Sequence, residues 1–206
     1  PKTPRRQRQM CIRDSPEAEP LYKRALAIKE AKLPADDPSI ATTCVNLAAL
    51  YGSTGKYAEA EPLYKRALRI QEKKLGANHF NVAPTCNGLA LLYVRQGKYA
   101  EAEPLRKRAL AIYEQKLDAN HPRIASSCYG IAILYRSQGK YAEAEPLFKR
   151  ALKIREAKFG STHQFTLNIM LSMAQMYRNA ERFAESEALY RCLLYTSPSP
   201  RDRNVS

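Results

Sequence analysis

The 206-residue chain is predicted to be all-α, a right-handed α-solenoid of helix-turn-helix repeats with about eight helices, on three observations. The first is a period of 42 residues: Cys44, Leu47, Ala48, Tyr51, Gly55, Tyr57 and Ala60 return as Cys86, Leu89, Ala90, Tyr93, Gly97, Tyr99 and Ala102, and again as Cys128, Ile131, Ala132, Tyr135, Gly139, Tyr141 and Ala144. A further copy opens at Met170, Met173, Ala174, Tyr177 and Phe183. Self-similarity of this length marks a solenoid, in which each unit buries its apolar face only against its neighbours. The second observation is the spacing inside the repeat. Apolar or small residues at 44, 47, 48 and 51, then at 57, 60, 63, 64, 67 and 68, follow the i, i+3, i+4, i+7 rule of a helix with one buried face. The third is the break at Gly55, which splits each repeat into two helices. No strand-like alternation supports a propeller blade of similar period.

The elements follow in order. Residues 16–37 are the second half of a repeat, with a helix expected over 16–33. Three full repeats come next, 38–79, 80–121 and 122–163, with helix pairs over 38–54 and 57–75, 80–96 and 99–117, and 122–138 and 141–159. A truncated repeat, 164–191, supplies a fourth pair cut short near 191. Residues 16–191 are expected to form one elongated array without a central core. Pro20, Pro62, Pro104 and Pro146 fall inside the second helices, where an interior proline costs a hydrogen bond and about 3 kcal/mol. Their place in the first two turns lowers that cost, and a slight bend is expected.

The detailed spacing Cys44-x2-Leu47-Ala48-x2-Tyr51, followed by Ala60-x3-Tyr64, matches the tetratricopeptide pattern, with cysteine in the first aromatic slot. A standard unit of that kind has about 34 residues. Here Ile70 to Lys74 lengthen the second helix before the loop Gly76-Ala77-Asn78-His79. In this the chain resembles the kinesin light chain type of tetratricopeptide array, through AEPLYKRALRIQEKKLGANHF (Ala60 to Phe80) and AEPLRKRALAIYEQKLDANHP (Ala102 to Pro122). The resemblance covers 16–191. It implies a scaffold that holds cargo peptides through paired asparagines in each first helix. At that pair this chain has Val45-Asn46, Asn87-Gly88, Tyr129-Gly130 and Leu171-Ser172, so it departs from the pattern in every repeat.

Residues 1–15 and 192–206 do not follow the period. RRQRQMCIRDS (Arg5 to Ser15) and CLLYTSPSPRD (Cys192 to Asp202) resemble in-frame translations of the transposon-end adapters used in sequencing libraries. The codons ATG TGT ATA AGA GAC AG spell Met10 to Asp14 and open Ser15, and their reverse complement read one frame over spells Cys192 to Ser197. Both ends are therefore expected to be non-native or disordered tails on a fragment of a longer chain. They carry Lys2, Arg5, Arg6, Arg8 and Arg13 against Asp14, and Arg201 and Arg203 against Asp202, so nine of the fourteen net positive charges belong to the array. No stretch approaches the roughly 18–20 apolar residues of a membrane span, and no membrane partner is expected.

Three constellations invite chemistry. Cys44, Cys86 and Cys128 hold one register position, separated by an intervening helix, too far apart for a disulfide or one metal. They are expected as buried small hydrophobes, and three reduced thiols point to a cytoplasmic protein. His79, His121 and His163 also recur every 42 residues, in the loops before first helices, where a helix-start role is expected. The first repeat has Asp37-Pro38 there. The third constellation is a basic ladder, Lys23-Arg24, Lys65-Arg66, Arg106-Lys107-Arg108 and Lys149-Arg150, which could track a phosphate backbone. Each lysine has a glutamate four residues earlier, at Glu19, Glu61, Glu103 and Glu145, the favourable orientation for a helix-surface pair. A solvated charged face is the expected reading, and nucleic acid is not the expected partner. No nucleophile with a base, no carboxylate pair and no phosphate-cradling loop is recognisable, so no catalytic residue, metal or cofactor is assigned and the chain is not expected to be an enzyme.

With 44, 47, 48 and 51 turned inward, helical spacing leaves 42, 45, 46, 49 and 53 of each first helix facing a concave groove. That groove is expected to show Thr42, Val45, Asn46 and Ser53, then Asn87, Leu91 and Arg95, then Ser126, Tyr129 and Ser137, then Asn168, Gln175 and Asn179, with Arg136 and Arg178 at its rim. Of these, Asn46, Asn87, Arg95, Tyr129, Arg136, Gln175, Arg178 and Asn179 are the candidate protein-binding residues. Such a surface suits an extended peptide, an acidic one included, held by amide and guanidinium hydrogen bonds. The leading expectation is thus an interaction scaffold. The alternatives are the sensor arm of a larger signalling or nucleotide-switch protein and a nucleic-acid binder using the outer ladder.

Overall fold

The computed structural model describes residues 18–196. Among these it has nine helices and no strand: α1 (Ala18–Lys32), α2 (Pro38–Ser53), α3 (Tyr57–Leu75), α4 (Val82–Arg95), α5 (Tyr99–Lys116), α6 (Pro122–Ser137), α7 (Tyr141–Phe159), α8 (Gln164–Asn179) and α9 (Phe183–Thr196). Their bounds fall within two residues of those read from the repeat, except that the last pair is complete and α9 runs past residue 191. The fourth pair, expected cut short, thus brings the count to nine where about eight were expected. Apart from 192–196, the two expected tails lie outside the described residues. The chain forms two compact units, 18–112 and 113–196 among the described residues, divided inside α5.

The same device precedes the first helix of each repeat. The imidazole Nδ1 of His79, His121 and His163 accepts from the backbone N–H of Asn81, Arg123 and Phe165 at 3.1–3.2 Å, and Asp37 Oδ1 accepts from Ser39 N–H at 2.8 Å in the first repeat. Four orphan donors at a helix N-terminus need acceptors, and a side chain just before the helix supplies one. The turn inside each repeat closes at a residue of positive φ: Gly55 at 79°, Gly97 at 74°, Gly139 at 73°. In the last repeat that place is held by Glu181 at 58°, where a Cβ crowds the following carbonyl.

In the first unit α2 packs between α1 and α3 and also touches α4; in the second, α8 packs between α7 and α9 and touches α6. Two-sided packing needs small residues in the first helices. Ala41, Cys44 and Ala48 are fully buried on α2, Ala83, Cys86 and Ala90 on α4, and Ala125, Cys128 and Ala132 on α6. Ile40, Ala41 and Cys44 meet Ala67 and Ile70 of α3, with Leu26 and Leu63 against them. Burying one large apolar side chain contributes roughly 1.5–3 kcal/mol. The inward positions read for the first helices, equivalent to 44, 47, 48 and 51, are buried apart from Tyr135, which is half-buried; on α3, Tyr57 and Leu63 are half-buried as well.

The tyrosine at the end of the first helix reaches back to a glutamate of the preceding repeat. Tyr51 donates to Glu19 at 3.2 Å, Tyr93 to Glu61 at 3.1 Å and Tyr177 to Glu145 at 2.9 Å. The same carboxylates take the lysine one turn on, Lys23, Lys65 and Lys149 at 2.6–2.8 Å, and a cation from the next turn, Lys56 at 2.7 Å, Lys98 at 3.8 Å and Arg182 at 2.5 Å. Neighbouring cations hold Glu19 and Glu145 down at about 2, the hydrogen bonds from Lys23 and from Arg182 being the largest causes. The ladder arginines make a second inter-repeat link: Arg66 pairs with Glu30, Arg108 with Glu72 at 2.5 Å and Arg150 with Glu114 at 2.5 Å. Each such pair contributes little alone, about 0.2–1 kcal/mol, yet together they fix how one repeat sits on the last.

Replacing Glu181 with glycine removes the crowded left-handed conformation, about 1–2 kcal/mol, against about 0.4–1 kcal/mol of added unfolded-state freedom. The expected outcome is a melting temperature higher by roughly 2–4 °C for each kcal/mol gained; a fall in thermal melts would show that Glu181 has a compensating contact. The acid limb gives a second check. A carboxyl lowered from 4.5 to about 2 in the folded state contributes stability that is present above 4.5 and lost as pH falls through about 2. Melts between those pH values should show a shallower acid loss in Glu145→Gln than in the parent.

Candidate functional site

Helix α2 turns 44, 47, 48 and 51 into the core, and a 3.6-residue repeat then leaves 42, 45, 46, 49 and 53 as the accessible strip. Thr42 and Ser53 are exposed, and Val45, Asn46 and Ala49 half-buried. On α4 the equivalent strip presents Leu91, which is 44% exposed, and Arg95. Between the two helices the Tyr64 ring rises from α3 to the backbone of Gly88, where a Cβ would stand 2.7 Å from a ring carbon. Only glycine leaves room there. The resulting cavity, about 90 Å³, is lined by Ala49, Gly52, Tyr64, Gly88, Leu91 and Arg95. Arg95 does not stand free in it: its guanidinium donates to the Gly52 carbonyl at 2.5 Å. Asn87 accepts from Arg106 Nη1 at 3.1 Å, while the buried Arg106 Nε–H has no protein partner and burial lowers the arginine's pKa.

In the second unit the strip is more polar and more ordered. The Tyr129 hydroxyl and Ser172 Oγ are 2.9 Å apart, and Arg136 Nη1 donates to the Ser172 carbonyl at 3.2 Å and to Gln175 Oε1 at 3.0 Å. Phe148 of α7 supports Tyr129 edge-on at 6.0 Å. Three residues singled out from the sequence, Tyr129, Arg136 and Gln175, are thus gathered into one cluster bridging α6 and α8. Arg136 belongs to that bridge rather than to a free rim. Arg178 and Asn179 stand exposed at the end of α8, outside the cluster. Beside it, Arg155 reaches from α7 to Ser126 Oγ at 2.6 Å and borders a cavity of about 290 Å³ with Ala125, Tyr129, Phe165 and Asn168.

Of the residues that come up from the second helices, the sequence reading puts Tyr64 in the core pattern and passes over Phe148 and Arg155; it puts Arg106 in the outer ladder, whereas that side chain turns to Asn87. A signal for them exists in the repeats themselves. YAEAEPLYKRAL (Tyr57 to Leu68), YAEAEPLRKRAL (Tyr99 to Leu110) and YAEAEPLFKRAL (Tyr141 to Leu152) differ at a single position, which is Tyr64, Arg106 and Phe148. The next variable place on the same face is Gln71, Tyr113 and Arg155. Within these twelve-residue stretches the single change falls on side chains that lie beneath the accessible strip.

The three buried thiols are poor nucleophiles. Cys44, Cys86 and Cys128 are buried and unpaired with one another, and burial pushes the Cys86 thiol up to about 11. Among the described residues no three of His, Cys, Asp or Glu converge as metal ligands, and no helix is long and apolar enough to cross a membrane.

Stacked helix pairs of this geometry match a known profile, that of the tetratricopeptide repeat, over residues 12–73, 39–115, 81–157 and 124–194. The chain belongs to the tetratricopeptide-repeat family. Solved tetratricopeptide structures agree in fold. A Podosopora anserina protein of nearly identical TPR-like repeats, described as a kinesin light chain, is 26% identical with a TM-score of 0.79, over 93% of this chain and 90% of that one. BtubC (BKLC) from P. vanneervenii is also 26% identical with a TM-score of 0.79, over 98% of this chain and 81% of its own. RapI, at 17% identity and a TM-score of 0.72, shares the fold alone. No curated protein matches. The tetratricopeptide array here is therefore of the kinesin light chain-like kind, and its fold is that of a protein-interaction scaffold.

Gly88→Ala tests the close approach on which the first-unit strip depends. Forcing the buried Tyr64 ring aside overpacks the site and should cost about 1–3 kcal/mol in denaturant unfolding; a neutral result would mean that the ring moves freely.

Proposed function

We propose that this tetratricopeptide array is a non-catalytic scaffold that holds an extended peptide segment of a partner protein along the accessible strip of its first helices. The observation that carries the reading is the placement of sequence variation. Second helices otherwise identical over twelve residues change only at Tyr64, Arg106 and Phe148, the side chains under that strip. These side chains set a different floor beneath the strip in each repeat, so that successive first helices present different surfaces to a ligand. The strip also carries the amide, hydroxyl and guanidinium groups that recognise peptide backbone and carboxylate, at Asn46, Asn87, Tyr129, Gln175 and Arg136. The basic ladder supports a protein ligand over a nucleic acid, because Lys23, Lys65, Lys107 and Lys149 are each paired with the glutamate four residues earlier. The similarity to BtubC (BKLC) and to the Podosopora anserina protein supports a kinesin light chain-like role.

The test is a peptide selection against the whole chain, followed by affinity measurements on the selected peptides. Tyr129→Ala and Arg136→Ala should each weaken binding by about tenfold or more, as expected of central aromatic and arginine contacts. Lys65→Ala and Lys149→Ala on the ladder should change it by less than about threefold. The reverse pattern, with the ladder variants losing affinity, would move the binding face to the outer surface.

A further inference from the structure

We propose that the cavity between α6 and α8 is a carboxylate pocket, in which the guanidinium of Arg155 receives the carboxylate of an acidic peptide residue. The inference deepens the peptide-binding reading above by giving one site a ligand chemistry.

Arg155 is the cation in this unit whose burial and pairing disagree. It is 9% exposed, yet its only protein hydrogen bond among the described residues runs to the neutral Ser126 hydroxyl, at 2.6 Å. No carboxylate among the described residues pairs with it. Two other arginines of this unit are treated differently: Arg150 pairs with Glu114 and Arg182 with Glu145 and Glu185. A desolvated charge without a counter-ion is costly, and one hydroxyl does not offset that. The rings of Phe165, at 4.8 Å, and Phe159, at 5.4 Å, hold the guanidinium and lessen the cost without accepting its in-plane N–H groups. Burial accordingly lowers the pKa of this arginine.

The equivalent place in the first repeat shows what a satisfied cation looks like. Lys29 donates to the Ser39 carbonyl at 3.0 Å and to Thr43 Oγ1 at 2.8 Å, so the chain's own acceptors consume it. At Arg155 the position of Thr43 is held by Ile169, which accepts nothing, and a cavity of about 290 Å³ lies beside the guanidinium. Its lining includes Ala125, Ile169 and the rings of Tyr129 and Phe165, with Ser126 and Asn168 as polar members. The Asn168 Oδ1 already accepts from Gln164, so the donor side of that amide is what remains for a ligand's acceptor. One planar guanidinium with an amide and a hydroxyl beside it fits a planar monoanion bound through two oxygens. A phosphate dianion fits poorly, because no second cation lines the cavity and excess negative charge would be buried.

The experiment is a titration of the whole chain, followed through the arginine Nε–H signals in heteronuclear NMR, with single-residue probes. N-acetylglutamate N-methylamide represents an internal acidic side chain, N-acetyl-alanyl-alanine a chain terminus, N-acetylglutamine N-methylamide the neutral isostere, and inorganic phosphate the competing anion. A carboxylate probe should shift the Arg155 signal saturably, and whichever of the two binds more tightly identifies the source of the carboxylate. The glutamine probe should bind at least about tenfold more weakly, and Arg155→Met should abolish the response. Asn168→Phe, a change at an exposed position that fills the cavity mouth, should do the same with Arg155 in place, so a folding defect in the first variant does not decide the matter. Equal binding of the glutamine probe, tighter binding of phosphate, or a response that survives both substitutions would overturn the proposal. Because these probes need no partner protein, their failure leaves the peptide selection standing, and failure of the selection leaves this pocket measured.

Discussion

Two-sided burial of the first helices is the constraint on which the rest of this structure depends. A solenoid has no centre, so α2 must find apolar surface on both α1 and α3, and α8 on both α7 and α9. Such a helix is crowded on most of its circumference, and alanine or cysteine at 41, 44 and 48, repeated at 83, 86 and 90, is what lets its neighbours approach. The glutamates at 19, 61 and 145 then set the register, since each takes the tyrosine hydroxyl of the following repeat as well as a lysine of its own helix. Packing supplies the energy and the carboxylates supply the orientation. That division is physically sensible: exposed ion pairs contribute little to stability, but their geometry is directional.

What two-sided burial leaves over is one narrow strip per first helix, and that is where chemistry can vary without disturbing the stack. The chain's arginines show how closely placement governs role. Arg66, Arg108 and Arg150 meet a glutamate of the preceding repeat and act as staples. Arg95 and Arg136 find only carbonyl and amide oxygens across the strip, which links adjacent first helices and shapes the accessible surface. Arg155 is buried with neither a carboxylate nor a carbonyl, and so retains hydrogen-bonding capacity for something outside the chain. The same side chain is structural, shaping or recognitive according to the acceptors its neighbours bring.

Glycine and tyrosine at the strip illustrate the trade between fold and recognition. Where a family resemblance would place a second asparagine, this chain has Gly88, and the reason is steric: the Tyr64 ring occupies the space. Loss of one polar contact is thus coupled to gain of an aromatic floor. In the second unit Ser172 stands at the corresponding position and bonds Tyr129 from the opposite helix instead. Each repeat solves the same packing problem with a different pair of residues, which gives successive parts of the strip different surfaces.

The sequence by itself determined the helices, their ends, and which side of each faces the core. Those properties are local: a 3.6-residue spacing, a left-handed turn at Gly55, a capping side chain such as His121, and a glutamate four residues before a lysine can all be read within one turn or two of chain. Even the last pair was visible, although α9 extends beyond the expected end. Only the tertiary structure decided the partners that lie a repeat away. Tyr177 meeting Glu145, Arg95 turning to Gly52 and Arg155 settling between Phe159 and Phe165 beside an open cavity depend on the few ångströms by which one repeat is set against the next. Periodicity names the positions that recur, but it carries no distance between them, and hydrogen bonds and desolvation are decided by distance.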